Sequence, residues 1–320
     1  MEALAFLDLL GFSQMVSKSQ TQSRQILSDF YNITFGIIKN DPSIKGNLFS
    51  DSLLAHSSNP ANLVNAITQI YRKCLSKNEE YNQDEMSTFF LLPRGGISFG
   101  HIDIQERTES PNLSKNFIIS PALVHSAKIE SKIKGSRLLI ADESLDNNQV
   151  FNWNNDIKSI MYENKTFEFL AGSRYYDSLW FLDLSKNRLE QKTEVESLIR
   201  ISIALISANQ RNKKALEQHL QTLRIGLLSY SKFLSPNENP LIEEITEQFQ
   251  DDKYWTIWIT LIEMIMNSPD NWAFEADQLI VPFYKSLSLK KGWSNVLNEI
   301  HKPNNEQLRS LFNQFQNNMN

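Results

Sequence analysis

Apolar residues fall in two patterns along this chain. In the first half they gather in short runs; in the second they recur at helical spacing. Residues 3–9, ALAFLDL, make an apolar run of strand length broken only by Asp8 and followed by Gly11. The period then changes. Ile26, Phe30, Ile33 and Ile37 lie on one helical stripe, which predicts a helix from about Ser13 to Lys39 with Ser13 as its N-cap. KGNLFSDSLLAHSS (45–58) reads as a hairpin carrying a second acid, Asp51. Residues 61–75 form the next helix, with Leu63, Ile67, Ile70 and Cys74 on one side. FFLLPRGGISFGHIDI (89–104) is strand-rich, and Gly95 with Gly96 reads as a bulge. A polar loop (105–116), a short helix (121–134) and a strand in RLLIADES (137–144) follow, and TFEFLAG (166–172) with SLWFLDLS (178–185) reads as a closing pair of strands.

From about Glu190 the pattern is helical, with helices expected near 192–209, 211–234, 240–267, 271–288 and 304–316. Pro240 suits a first helical turn, and Trp255, Trp258, Ile262 and Ile265 share a helical face that reads as core or dimer contact. DLSKNRLEQKTE is polar and charged, as linkers are. The expected organisation is an α+β domain over residues 1–188 and an all-helical domain over 189–320.

Composition narrows the classes. Apolar residues at 41% and charged residues at 22% are enough for a packed core. A net charge of −5 gives no basic stripe for nucleic acid. The single cysteine, Cys74, excludes an internal disulfide and a cysteine-rich zinc cage. The run WTIWITLIEMIM contains Glu263 and is too short to span a bilayer, so no integral membrane segment is expected. No basic-apolar signal segment opens the sequence, and a cytoplasmic location is the expectation. His56, His101 and His125 share no metal-ligand spacing and read as structural.

The acids carry the chemistry. A carboxylate inside a buried strand costs several kcal/mol unless it is paired, hydrogen-bonded or metal-bound (roughly, by analogy with other buried ions). Asp8 and Asp51 are each a lone acid in an apolar strand or hairpin. Taken in order, FLDLLGFS (6–13), NLFSDSLLA (47–55), PRGGISFG (93–100), ISPALVHSAKIES (119–131) and SRLLIADES (136–144) resemble the catalytic domain of class III nucleotidyl cyclases. FSDS, RGGIS and the Pro-Ala-Leu helix start look most like the bacterial pyrimidine cyclases of the Pycsar anti-phage system. The resemblance covers roughly residues 3–185.

The resemblance implies a ferredoxin-like sheet with flanking helices, ahead of the helical C-terminal part. It implies cyclisation of a nucleoside triphosphate to a 3′,5′-cyclic nucleotide with release of pyrophosphate. Asp8, Asp51 and the backbone of Leu9 would hold two Mg2+ or Mn2+ ions per site; hard oxygen donors suit such ions. The turn Leu10-Gly11-Phe12 would cradle the phosphates. Family members work as head-to-tail dimers, so a homodimer with interfacial sites is implied.

Two departures bear on activity and base choice. The family's helix carries an Asn and, four residues on, an Arg; Val124 and Lys128 stand there. Lys128 keeps the charge and loses the planar fork. The purine-selecting positions hold Asn47 and Phe117, and an amide such as Asn47 can both donate to and accept from a pyrimidine edge. UTP or CTP is therefore the favoured substrate. A purine cyclase of the same fold and a degenerate cyclase-like binding or regulatory module stay open as alternatives. Lys128, Lys132, Lys134 and Arg137 are close enough in sequence to offer cations to a triphosphate.

Overall fold

The computed structural model of the chain describes residues 2–110, 113–142, 159–163, 174–235, 239–248 and 293–303, together with 306, 309, 310 and 313. Contacts divide it into two compact units, Met1–Gly226 and Leu227–Asn320. The first unit runs past residue 188: residues 188–208 pack against the helices at 60–77 and 83–86, and the N–H groups of Gly135 and Ser136 donate to Gln218 and Thr222.

The strands of the first unit are β1 (Glu2–Leu9), β2 (Ile44–Phe49), β3 (Ser52–Ser57), β4 (Pro93–Gly100), β5 (Asp103–Ser110), β6 (Leu113–Ile119), β7 (Leu138–Asp142), β8 (Met161–Glu163) and β9 (Arg174–Ser178). Its helices are α1 (Phe12–Lys18), α2 (Gln20–Ile38), α3 (Pro60–Lys77), α4 (Gln83–Met86), α5 (Pro121–Lys132) and α6 (Arg188–Ala208); α7 (Lys213–Ser231) begins there. Seven strands form one sheet in the order β2-β3-β1-β4-β7-β9-β8. The chain path β1-helix-β2-β3-helix-β4, with β1 antiparallel to both β3 and β4, is the ferredoxin-like split βαβ arrangement. β7 extends it parallel to β4. The α+β expectation therefore holds. In the second unit, α8 (Pro240–Gln248) buries Leu241, Ile242 and Ile245, and α9 (Trp293–Ile300) buries Ile300.

β1 reads as a continuous apolar run because it is central and covered on both faces; Ala3, Leu4, Ala5 and Leu7 are fully buried. Leu4 and Phe6 pack with Ala122 and Leu123 of α5, so residues 4, 6 and 8 share the face that α5 covers. Gly96 and Ser98 of β4 meet the same helix. A Cβ on Gly96 would lie 2.7 Å from Ile129, and Ser98 Oγ donates to the Ala122 carbonyl at 2.5 Å. Gly95 and Gly96 thus form no bulge: they keep β4 in unbroken register with β1 and make room for neighbours.

Several expectations are corrected. The helix expected from Ser13 starts one residue earlier, after Gly11 at φ 72°, and breaks at Ser19, whose extended backbone (φ −155°) and side chain cap a second helix. Ser13 lies inside α1 and is not a cap. The polar loop at 105–116 is mostly the paired hairpin β5–β6. SLWFLDLS is no strand beyond Ser178: Leu179, Trp180 and Phe181 are buried in a turn. Arg72 replaces the missing ladder there, its Nη1 donating to the carbonyls of Trp180 (3.1 Å) and Leu182 (2.7 Å). The presumed linker opens α6 with a capping box between Asn187 and Glu190. The strand expected at 166–172, the helix at 271–288, most of those at 240–267 and 304–316, and Trp255, Trp258, Ile262 and Ile265 lie outside the described residues.

Candidate active site

The register of three strands assembles the site. Asp8 stands opposite Ser52 of β3 on one side and Arg94 of β4 on the other. Residues directly opposite one another share a face. Ser52 Oγ donates to Asp8 Oδ1 at 3.1 Å, and Arg94 Nη2 lies 3.9 Å from Asp8 Oδ2. Ladder parity then fixes Leu9. Leu10 N–H donates to the Leu92 carbonyl at 2.9 Å, so residues 8 and 10 turn their backbone groups toward β4. Leu9 turns the other way, and its N–H donates to the Asp51 carbonyl at 3.1 Å. The Leu9 carbonyl therefore points to the side of β1 where Asp51 lies.

Asp51 closes a two-residue connection between β2 and β3. Ser50 takes φ 51° there, as tight hairpins require, and Tyr31 Oη donates to its carbonyl at 3.0 Å. This places both acids at one edge of the sheet, on neighbouring strand ends. Burial, the Asp51 charge and the Glu130 charge together push the Asp8 carboxyl up to about 7, against the smaller opposing pull of Ser52 and Arg94.

Glu130 is the residue that sequence reasoning missed. It lies on the covered side of α5, largely buried, with its Oε1 2.5 Å from Arg94 Nε. Burial raises its carboxyl too, while Arg94 pulls it down. The signal was present: Ala122, Ser126 and Ile129 form the buried stripe of α5, and Glu130 borders it four residues after Ser126. Arg94 links Glu130 to Asp8.

The other expected site residues divide. Gly11 lies at the strand-to-helix turn, and no side chain caps α1, so the first N–H groups of that helix are left for solvent or an anion. Leu10 contributes no such donor, since its N–H is spent on Leu92, and the Phe12 side chain is buried. Asn47 is exposed on the edge strand β2, opposite Leu54. Phe117 lies on β6 opposite Gln105, in the other sheet. Lys128 and Val124 sit on the exposed side of α5. Two positions along a helix are about 200° apart, so Lys128 is turned to the side of α5 away from Glu130. Arg137 is taken by a buried bidentate pair with Asp177 (2.8 and 2.5 Å), and Lys134 pairs with Glu217. His125 is buried against the Tyr175 hydroxyl at 2.9 Å, a structural contact.

Part-buried carboxylates outnumber cations here, and every donor is oxygen, which fits a hard divalent cation. Among the described residues no three His, Cys, Asp or Glu side chains form a cage. A cation would therefore take its remaining ligands from phosphates and water, the usual habit of magnesium. Among the described residues no helix is long and apolar enough to cross a membrane.

No protein-family model matches the sequence, and no curated protein matches it. Solved structures similar to the chain include the guanylyl cyclase Cya2 (14% identity over 56% of this chain and 91% of that one, TM-score 0.44). They also include the adenylyl cyclase CyaB from P. aeruginosa (15% identity, 58% and 95% covered, TM-score 0.43). A third is the guanylate cyclase domain of RhGC from Catenaria anguillulae in complex with GTP (13% identity, 55% and 94% covered, TM-score 0.43). At this distance, what the site can do rests on its own geometry and chemistry.

Proposed function

We propose that this protein is a class III-type nucleotidyl cyclase that converts a nucleoside triphosphate, UTP or CTP in preference to a purine, to its 3′,5′-cyclic nucleotide and pyrophosphate. The observation that carries this reading is the convergence of the Asp8 carboxyl, the Leu9 carbonyl side and Asp51 at one edge of the sheet. Two lone acids brought together in this way raise each other's cost, which a ligand of opposite charge offsets.

In the reaction, the ribose 3′ oxygen bonds to the α-phosphorus as its proton passes to solvent water, and the bond from the α-phosphorus to the bridging oxygen breaks to release pyrophosphate. Asp8, Asp51 and the Leu9 carbonyl would hold two Mg2+ or Mn2+ ions. Such ions, when bound, acidify the 3′-hydroxyl and neutralise the leaving group. The chain's own residues orient the substrate. Ser52 and Arg94 fix the Asp8 carboxyl from either side, and Glu130 fixes Arg94. The Gly11 turn brings the main chain close to the phosphates. Asn47, exposed on the edge strand β2, would read the base edge, and Phe117, on the separate β5–β6 hairpin, is the second base-contact candidate that the resemblance implies. Lys128, exposed on the side of α5 away from Glu130, would serve the site of a partner copy in a homodimer, as the family resemblance implies. The anti-phage role follows the Pycsar resemblance, and a triphosphate substrate agrees with a cytoplasmic setting. Residues beyond 188 supply dimerisation or regulation.

A second reading, a catalytically degenerate binding module, is favoured by Val124 in the clamp position and by the Arg94–Glu130 pair beside Asp8. One experiment separates them. Pure protein is incubated with manganese and each of ATP, GTP, CTP and UTP, and cyclic product and pyrophosphate are measured. We expect turnover, strongest with a pyrimidine. Asp51→Ala should abolish it and, by removing a like charge near Asp8, raise the melting temperature of the metal-free protein. Turnover of a purine alone would overturn the base assignment, full activity in Asp51→Ala the site, and four inactive nucleotides on folded protein the enzyme.

A further inference from the structure

A cavity of about 180 Å³ opens beside the Gly11 turn, lined among others by Gly11, Lys18, Thr88, Arg94, Lys214 and Gln218. Among the described residues its wall holds the cations Lys18, Arg94 and Lys214 and no carboxylate. Nearby acids are engaged elsewhere: Glu217 pairs with Lys134, and Glu85 accepts from Gln22 Nε2 at 2.9 Å. Arg94 belongs both to this wall and to the Asp8 cluster, so the cavity adjoins the acids. At roughly 30 Å³ per water the volume equals about six waters. That is below the several hundred Å³ that a drug-sized ligand fills, and it suits phosphate groups rather than a nucleoside (roughly 300 Å³ or more).

Lys214 comes from outside the cyclase-like sheet, and the structure explains why it is there. Gly135, at φ 80°, lets α7 approach closely: a Cβ on it would lie 2.5 Å from Gln221 Cβ and 2.7 Å from the Gln218 carbonyl. The Gly135 N–H donates to Gln218 Oε1, and the Ser136 N–H donates to Thr222 Oγ1 at 2.9 Å. The second and third turns of α7 are thus clamped to the turn between α5 and β7, and this fixes its first turn. Lys214 shares a helix face with Gln218, one turn on, and both line the cavity. Opposite, Lys18 Nζ donates to Thr88 Oγ1 at 3.0 Å, which holds it at the wall.

We propose that Lys214 and Lys18 bind the two terminal phosphates of the nucleotide, the part released as pyrophosphate, so that the first turn of α7 completes a site the sheet alone leaves open. That the anion belongs to a nucleotide rests on the cyclase reading; the anion site itself does not.

The test is titration calorimetry of inorganic pyrophosphate, and separately of phosphate, into the full chain. Saturable pyrophosphate binding is expected, weakened about tenfold in Lys214→Ala, restored in Lys214→Arg and unchanged in Lys213→Ala, an exposed neighbour outside the wall. Wild-type affinity in Lys214→Ala, or no saturable binding to the wild type, would overturn the proposal. The two readings fail separately. Pyrophosphate binding that needs Lys214, with no cyclic product from any nucleotide, keeps the anion site and removes the cyclase. Cyclic product with a KM for the nucleotide unmoved by Lys214→Ala keeps the cyclase and removes this role for Lys214.

Discussion

His219 is wholly buried with its ring edge-on to Phe90, centroids 4.8 Å apart, and among the described residues neither ring nitrogen has a hydrogen-bond partner. Burial pushes its imidazole down to about 3. The sign follows from proton counting. Between pH about 3 and about 6.5 the unfolded chain binds a proton here and the folded chain does not, so stability falls as pH drops below about 6.5. At most about 1.4 kcal/mol is lost per pH unit. Urea denaturation at pH 7.5, 6 and 5 should show this loss, and His219→Leu should flatten it; an unchanged slope in the variant would assign the loss to other groups. The same physics made Asp8 legible in the sequence and hid Glu130. A lone acid in a continuous apolar strand breaks a pattern. An acid at the border of an amphipathic stripe does not, and its burial depends on how closely α5 lies on the sheet.

That closeness is decided at the level of elements. Gly96 lies beneath Ile129 and Ser126 of α5, and a methyl group there has no room. Gly96→Ala should lift the helix, disturb the Arg94–Glu130 pair and cost about 1–3 kcal/mol as an overpacking change. Gly36 in α2 is the contrast: nothing lies within 4 Å of its added Cβ, so Gly36→Ala should stabilise by up to about 1 kcal/mol. Chemical denaturation of the two variants gives opposite signs if packing, rather than glycine itself, decides. Elements with a strong period were legible: β1, the β2–β3 hairpin, α3 and α5 fall where the apolar pattern puts them. The misses share a cause. The β5–β6 hairpin pairs through its backbone and carries no apolar alternation, while the apolar run after Ser178 is buried by Arg72 and Trp180 without a ladder. Periodicity reports burial; it reports strand pairing only when burial and pairing coincide.

For the whole molecule, the exposed side of α5 bears on how copies of the chain would assemble. Val124 is 55% exposed and Ile119 68%, close in sequence to Lys128. Apolar groups left open in this way, near the exposed Lys128, are what the proposed homodimer would cover. In a two-fold dimer the α5 of one copy would then serve the acids of the other, and each site would draw on both chains. Asp51→Ala loses one half of every site and Lys128→Ala the other, so each variant alone should be inactive or nearly so. Mixed and allowed to exchange, half of the dimers would be heterodimers, each with one intact site, and activity should return to about a quarter of the wild-type value. Light scattering on the mixture verifies the dimer, and a tag on one variant verifies exchange. If exchanged heterodimers stay inactive, Asp51 and Lys128 serve the same chain's site or Lys128 serves none, and α5 must be assigned another role.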